Sequence, residues 1–96
     1  MGNIYTVRLT KQAIKNLKKL PIHIVLKLQV WIDGVINDGL NEVRKISGYH
    51  DEPLQGDRVG QRSIRLNRAY RAIYIVEEPT NSVSFVEIIE VTKHEY

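Results

Sequence analysis

Polar and apolar positions alternate along Ile4-Tyr5-Thr6-Val7-Arg8-Leu9, and this period of two predicts a short first strand. The period then changes. Thr10 has the chemistry of a helix N-cap, and Ala13, Ile14, Leu17 and Leu20 recur at helical spacing, with Lys11, Lys15, Lys18 and Lys19 on the other faces. Pro21 ends that helix, and a second one is expected from about Ile22 to Asp38. Its apolar stripe reads Val25, Leu28, Ile32 and Val35, flanked by Leu26, Trp31 and Ile36, with Gly39 as its stop. Gly34 inside it costs about 1 kcal/mol relative to Ala, which points to a close approach to the sheet. The least regular part is 41–57, where Val43 and Ile46 suit a further helical turn and Glu52-Pro53-Leu54 is extended. Three apolar runs close the chain: Arg62–Leu66, Tyr70–Val76 and Val83–Thr92.

Asn67-Arg68-Ala69 joins the first two runs and Pro79-Thr80-Asn81-Ser82 the next two, both short enough for antiparallel hairpins. In strict alternation, the last run is apolar on both faces, with Phe85, Ile89 and Val91 against Val86 and Ile88, so it belongs in the middle of the sheet. The order β-α-α-β-β-β predicts an α+β fold: a twisted antiparallel sheet with the N-terminal helical hairpin packed on one face. A length of 96 residues suits a single domain over 1–96. With no cysteine, disulfides and thiolate metal sites are excluded. No apolar run reaches membrane-spanning length and no signal-peptide pattern precedes the first strand, so the expectation is a cytoplasmic protein that does not engage membranes.

Charge changes the picture through its distribution. The net charge is only +3, but five of the 14 Lys/Arg residues fall between Arg58 and Arg71. They are Arg58, Arg62, Arg65, Arg68 and Arg71, and guanidinium groups fork onto phosphate oxygens. If Asn67, Arg68 and Ala69 form the hairpin loop, Arg65 lies directly opposite Arg71. Like charges facing across a strand pair repel, and an anion between them reverses the sign. The simpler alternative is a solvated sheet face whose arginines pair with nearby acids.

Titratable groups flank this hairpin. Glu52 precedes it and is either a general base or a loop carboxylate in a surface ion pair. His94 follows it and is either a proton-transfer group held at the end of an apolar strand or a fraying terminal side chain. Tyr96 suits base stacking or a phosphate contact. His23 reads as structural and His50 as a weak candidate only through its closeness to Glu52. Neither has a partner at metal-ligand spacing, so no metal and no cofactor are expected.

Four segments in order, Glu52-Pro53-Leu54-Gln55-Gly56-Asp57-Arg58, Ser63-Ile64-Arg65-Leu66, Tyr70-Arg71-Ala72-Ile73-Tyr74 and Lys93-His94-Glu95-Tyr96, resemble the RelE/ParE superfamily of bacterial toxins. The closest look is to its RelE, HigB and YoeB-type mRNA interferases. The resemblance implies a ribosome-dependent endoribonuclease that cuts mRNA in the A site and is neutralised by a cognate antitoxin protein. By position, Arg71 matches the family's catalytic arginine and Glu52 the YoeB-type glutamate. His94 and Tyr96 fall near that type's histidine and terminal tyrosine. Two departures stand out: Glu95 separates His94 from Tyr96, and Gln55 stands where a lysine is common, a loss that Lys93 offsets in part. The implied chemistry is attack of the substrate's own 2′-OH on the adjacent phosphate. Glu52 and His94 then share the base and acid roles in either order, and Arg71 with Arg65 clamps the phosphorane. Arg58, Arg62, Arg68 and Lys93 complete the expected RNA contacts. Two other readings stand beside this one: a ParE-like toxin that binds DNA gyrase without nuclease chemistry, and a non-catalytic RNA- or ribosome-binding module.

Overall fold

The computed structural model describes residues 2–93. Strand β1 (Val7–Leu9) leads into helices α1 (Lys11–Leu17), α2 (Ile22–Asp38) and the single turn α3 (Leu40–Val43). A 3-10 turn at Ser47–Tyr49 precedes β2 (Glu52–Pro53), and another at Gly56–Arg58 precedes β3 (Arg62–Arg65), β4 (Tyr70–Glu77) and β5 (Phe85–Lys93). The strands form one five-stranded sheet in the order β1-β5-β4-β3-β2. The α+β architecture with helices on one face of the sheet is as expected, and α2 spans the predicted residues.

Three features of the sheet depart from expectation. The sheet gains β2, a two-residue edge strand whose Glu52 and Pro53 pair with Ser63 and Arg62. It is also only mostly antiparallel, because β1 runs parallel to β5, with Val7 beside Val86 and Leu9 beside Ile88. Finally, β5 is an interior strand, between β1 and β4, but not because it is apolar on both faces. A bulge shifts the β4–β5 register between Ile73, which pairs with Glu90, and Tyr74, which pairs with Ile88. The extra residue, Ile89, resets the alternation. Val86, Ile88 and Val91 therefore all face the helices, while Glu87, Glu90 and Thr92 take the other face. Side chains from α1 hold the bulged segment. Thr10 Oγ1 donates to the Ile89 carbonyl at 3.2 Å, and Asn16 Oδ1 accepts from Val91 N at 3.1 Å.

Thr10 also caps α1 as predicted, accepting from Ala13 N at 3.1 Å. That helix stops at Leu17, one turn before Pro21, and the proline instead stands at the N-cap position of α2. The buried stripe of α2 is Ile24, Leu28, Trp31 and Val35, rotated from the predicted one, so Val25 and Ile32 sit at its margin. These residues join Ile64, Leu66, Ala72, Tyr74, Val86, Ile88 and Val91 in one core between helices and sheet. Trp31 packs on Tyr74 with ring centroids 5.2 Å apart. Gly34 does mark a close approach, but to α3: a Cβ there would stand 3.1 Å from Val43 Cγ2.

The connection from α2 to α3 is set by Gly39, at φ 92° and ψ 154°, a region that side-chain-bearing residues avoid. Asn3 lies against it, its Oδ1 accepting from Ile4 N and Asn41 N, both at 2.9 Å. A Cβ on Gly39 would overlap the Asn3 side chain. Gly39→Ala is therefore expected to destabilise the fold by about 2–4 kcal/mol, from backbone strain plus loss of the Asn3 contacts. Urea denaturation checks this, and a cost below 1 kcal/mol would show that the linkage relaxes.

Candidate functional site

The β3–β4 hairpin is built by Asn67. Its Oδ1 accepts from Ala69 N at 2.7 Å and Tyr70 N at 2.8 Å, closing the turn with a side chain in place of backbone. This loop sets the register, in which Arg65 lies opposite Arg71 and Ser63 opposite Ile73. The two arginines thus face each other across the strand pair on the sheet surface away from the helices.

Arg71 is held from two sides. Its Nη1 donates to Ser63 Oγ at 3.2 Å and stands 3.5 Å from Glu52 Oε1. Ser63 is fully buried and Glu52 is mostly exposed, so one anchor is rigid and the other faces solvent. Arg65 makes no hydrogen bond or ion pair to another described residue. Sheet pairing thus leaves one arginine of the facing pair partly neutralised by Glu52 and the other not. Arg58 reaches across the same face: its Nη2 lies 2.6 Å from Glu90 Oε1 and its Nε donates to Gln61 Oε1 at 2.8 Å. Arg68 is exposed at the hairpin loop, and Lys93 is exposed at the last described position of β5, opposite Tyr70.

Arg62 corrects the expectation of a row of phosphate-binding arginines. It pairs with Tyr74, a core residue, and so points to the helix side of the sheet. There its Nε donates to Asp51 Oδ1 at 2.7 Å, and the Asp51 side chain is only 1% exposed. Tyr74 Oη donates to Asp51 Oδ2 at 2.6 Å and accepts from Arg44 Nε at 3.3 Å. Burial opposes the charge on Arg62, but the hydrogen bond and the charge of Asp51 outweigh it and raise the guanidinium pKa. Burial first, and the bond to Asp51 second, push the Tyr74 phenol up to about 12.

Among the described residues the structure brings together Glu52, Arg65 and Arg71, with Arg58 tied down on the same face, and sets Arg62 apart. His94 and Tyr96 lie outside the described residues. His50, weak from sequence, is a backbone device: it adopts the left-handed conformation at φ 45° immediately before Asp51. Sequence reasoning missed Ser63, Asp51, Tyr74 and Glu90 as partners. The usable signal was alternation in β3, where adjacent Arg62 and Ser63 must point to opposite faces. No group of three or more His, Cys, Asp or Glu side chains able to hold a metal occurs among the described residues.

The Tyr74 shift has a direct consequence for stability. Below pH 10 the phenol is protonated whether the chain is folded or not. Between its ordinary value of 10.0 and its folded value of about 12 the unfolded chain releases the proton and the folded chain keeps it. Stability therefore falls as pH rises through this window, by about 2–3 kcal/mol. Urea unfolding from pH 9 to 12 is expected to show this loss in the wild type and a loss smaller by about that amount in Tyr74→Phe. Equal slopes would mean that the phenol titrates normally.

No protein-family model and no curated protein sequence matches the chain. Solved structures do. A YoeB/ParE toxin from Agrobacterium tumefaciens superposes with a TM-score of 0.70 at 19% identity, over 94% of this chain and 99% of that one. YafQ from E. coli gives 0.72 at 19% identity, over 92% and 91%. The toxin–antitoxin complex RelBE2 from Mycobacterium tuberculosis gives 0.67 at 25% identity, over 95% and 99%. At these identities the likeness speaks for architecture, and over nearly its full length this chain has the RelE-like fold of the RelE, YoeB, YafQ and ParE toxins.

Proposed function

We propose that this chain is the toxin of a type II toxin–antitoxin pair and acts as a ribosome-dependent endoribonuclease on mRNA. The observation that carries this reading is the facing pair Arg65 and Arg71, with Glu52 3.5 Å from Arg71. Two guanidinium groups side by side on a sheet destabilise the protein unless an anion joins them. A carboxylate at their edge adds a group that can exchange a proton, which arginine does not do in the working range.

The reaction needs three functions. A base removes the proton from the ribose 2′-OH as the 2′-oxygen bonds to phosphorus. Arg71 and Arg65 stabilise the charge that builds on the phosphorane oxygens. An acid supplies a proton to the 5′-oxygen as its bond to phosphorus breaks, leaving a 2′,3′-cyclic phosphate and a 5′-hydroxyl. Glu52 and His94 take the base and acid roles, and Tyr96 orients the substrate. Ser63 fixes one nitrogen of Arg71 and leaves the remainder of its guanidinium for phosphate. Arg58 is already bound to Glu90 and Arg62 to Asp51, so the clamp is smaller than the sequence suggests. A net charge of +3 supplies little bulk attraction for RNA, which favours action on the ribosome over free transcripts. A cognate antitoxin fits the same reading, since structures of this fold include the DinJ–YafQ and YoeB–YefM complexes.

Expression from a tight promoter, with mRNA 5′ ends mapped by primer extension, tests the proposal. Wild type is expected to arrest growth and produce new ends in phase with codons. Arg71→Ala is expected to lose cleavage by about 100–1000-fold, as for loss of a single charge-stabilising donor, and Glu52→Gln and His94→Ala to impair it. Growth arrest without new RNA ends would overturn the nuclease reading in favour of a binding toxin such as a gyrase inhibitor. Cleavage unchanged in Arg71→Ala would overturn the site.

A further inference from the structure

We propose that Asp51 is a positioning residue: its buried carboxylate, bound to Arg62 and Tyr74 on the helix side of the sheet, sets the place of Glu52 beside Arg71 on the other side. This rests on the reading of Glu52 and Arg71 as the reacting groups, and it concerns how they are held.

Little else holds β2. The strand is two residues long and lies at the sheet edge. One of the two is Pro53, which has no backbone N–H to give to the ladder. The segment before it turns through His50 in the left-handed conformation, which a side-chain-bearing residue adopts only where its surroundings enforce it. Backbone pairing alone is a weak clamp for a residue that must meet Arg71 within a few ångströms.

Asp51 supplies what the ladder lacks. Its two carboxylate oxygens are taken separately, Oδ1 by Arg62 Nε at 2.7 Å and Oδ2 by Tyr74 Oη at 2.6 Å. Arg62 is on β3 and Tyr74 on β4, so one side chain ties the edge segment to two successive strands. The next residue of each segment completes the pattern. Glu52 follows Asp51 and Ser63 follows Arg62; alternation along β3 sends Ser63 through to the opposite face, and Glu52, the first residue of β2, pairs with Ser63 there, where both meet Arg71. An ion pair inside the protein thus stands back to back with the ion pair of the candidate site.

Chemistry suits a fixed anchor. Arg62 keeps its charge, and the Tyr74 phenol, at about 12, remains a donor across the working range. Both partners of Asp51 hold their protonation state while Glu52 exchanges a proton nearby.

The test is a mutant cycle in the full chain on programmed ribosomes, using Asp51→Ala, the isosteric Asp51→Asn should the alanine variant fail to fold, and Glu52→Gln in each background. Loss of the anchor is expected to lower kcat by on the order of 100-fold, the effect of misplacing a reacting group by about 1 Å, with KM within about twofold. Glu52→Gln should then cost little more, because Glu52 is already displaced. A purely structural role predicts the reverse: a lower Tm, unchanged kcat per folded molecule, and the same Glu52→Gln cost in both backgrounds. That result would overturn the proposal. A second readout needs no turnover. The guanidinium NMR resonances of Arg71 are expected to shift on Glu52→Gln in the wild type and not in the Asp51 variant. Equal shifts in the two backgrounds would overturn the positioning role even if the wild type cleaves no RNA, a result that by itself would sink only the nuclease reading.

Discussion

The candidate site depends on a charge that never reaches solvent. Asp51 is enclosed on the helix side of the sheet and satisfied by Arg62 and Tyr74. A buried carboxylate in that position is costly to leave unpaired, and removing one partner of such a pair typically costs about 3–5 kcal/mol. The structure therefore keeps β2, β3 and β4 in one relative placement. Arg62, one of the arginines expected to contact RNA, is consumed in that task.

Period-two geometry turns this internal constraint into an external arrangement. Strand β3 cannot place Arg62 inward without placing Ser63 outward, and Glu52, paired with Ser63 at the start of β2, faces outward with it while Asp51, just before the strand, faces inward. Arg71 is then met by Ser63 from β3 and Glu52 from β2, while the hairpin register closed by Asn67 puts Arg65 opposite it. Among the described residues the site is thus assembled from three strands, and its part that is local in sequence is the hairpin.

Much of this was legible beforehand. The change from alternation to helical spacing located α1 and α2, and the short Asn67-Arg68-Ala69 link gave the Arg65–Arg71 opposition, which the structure contains. What was not legible shares a cause. The rotation of the α2 stripe toward Ile24 and Trp31, the resetting of β5 by the bulge at Ile89, and the two-residue strand β2 each depend on a neighbour distant in the chain. Strict alternation groups Val91 with Phe85, and only the register with β4, together with Thr10 and Asn16 gripping the bulge, moves it to the core.

By itself, then, the sequence determined β1, α1, α2, β3, β4 and β5, their order and the concentration of arginine on one segment, and it tied the Arg65–Arg71 opposition to a loop of Asn67, Arg68 and Ala69. These follow from local periodicity and turn chemistry, which act over a few residues. Tertiary structure alone decided which arginines are spent on acids and which face outward. Arg58 goes to Glu90, 32 residues away, and Arg62 to Asp51, 11 residues away, while the Arg65 side chain meets no acid among the described residues and Arg71 lies 3.5 Å from Glu52. A charge at a given position reads the same in a sequence whether its counter-ion is adjacent or absent. The difference arises only when the sheet brings distant strands within hydrogen-bonding distance.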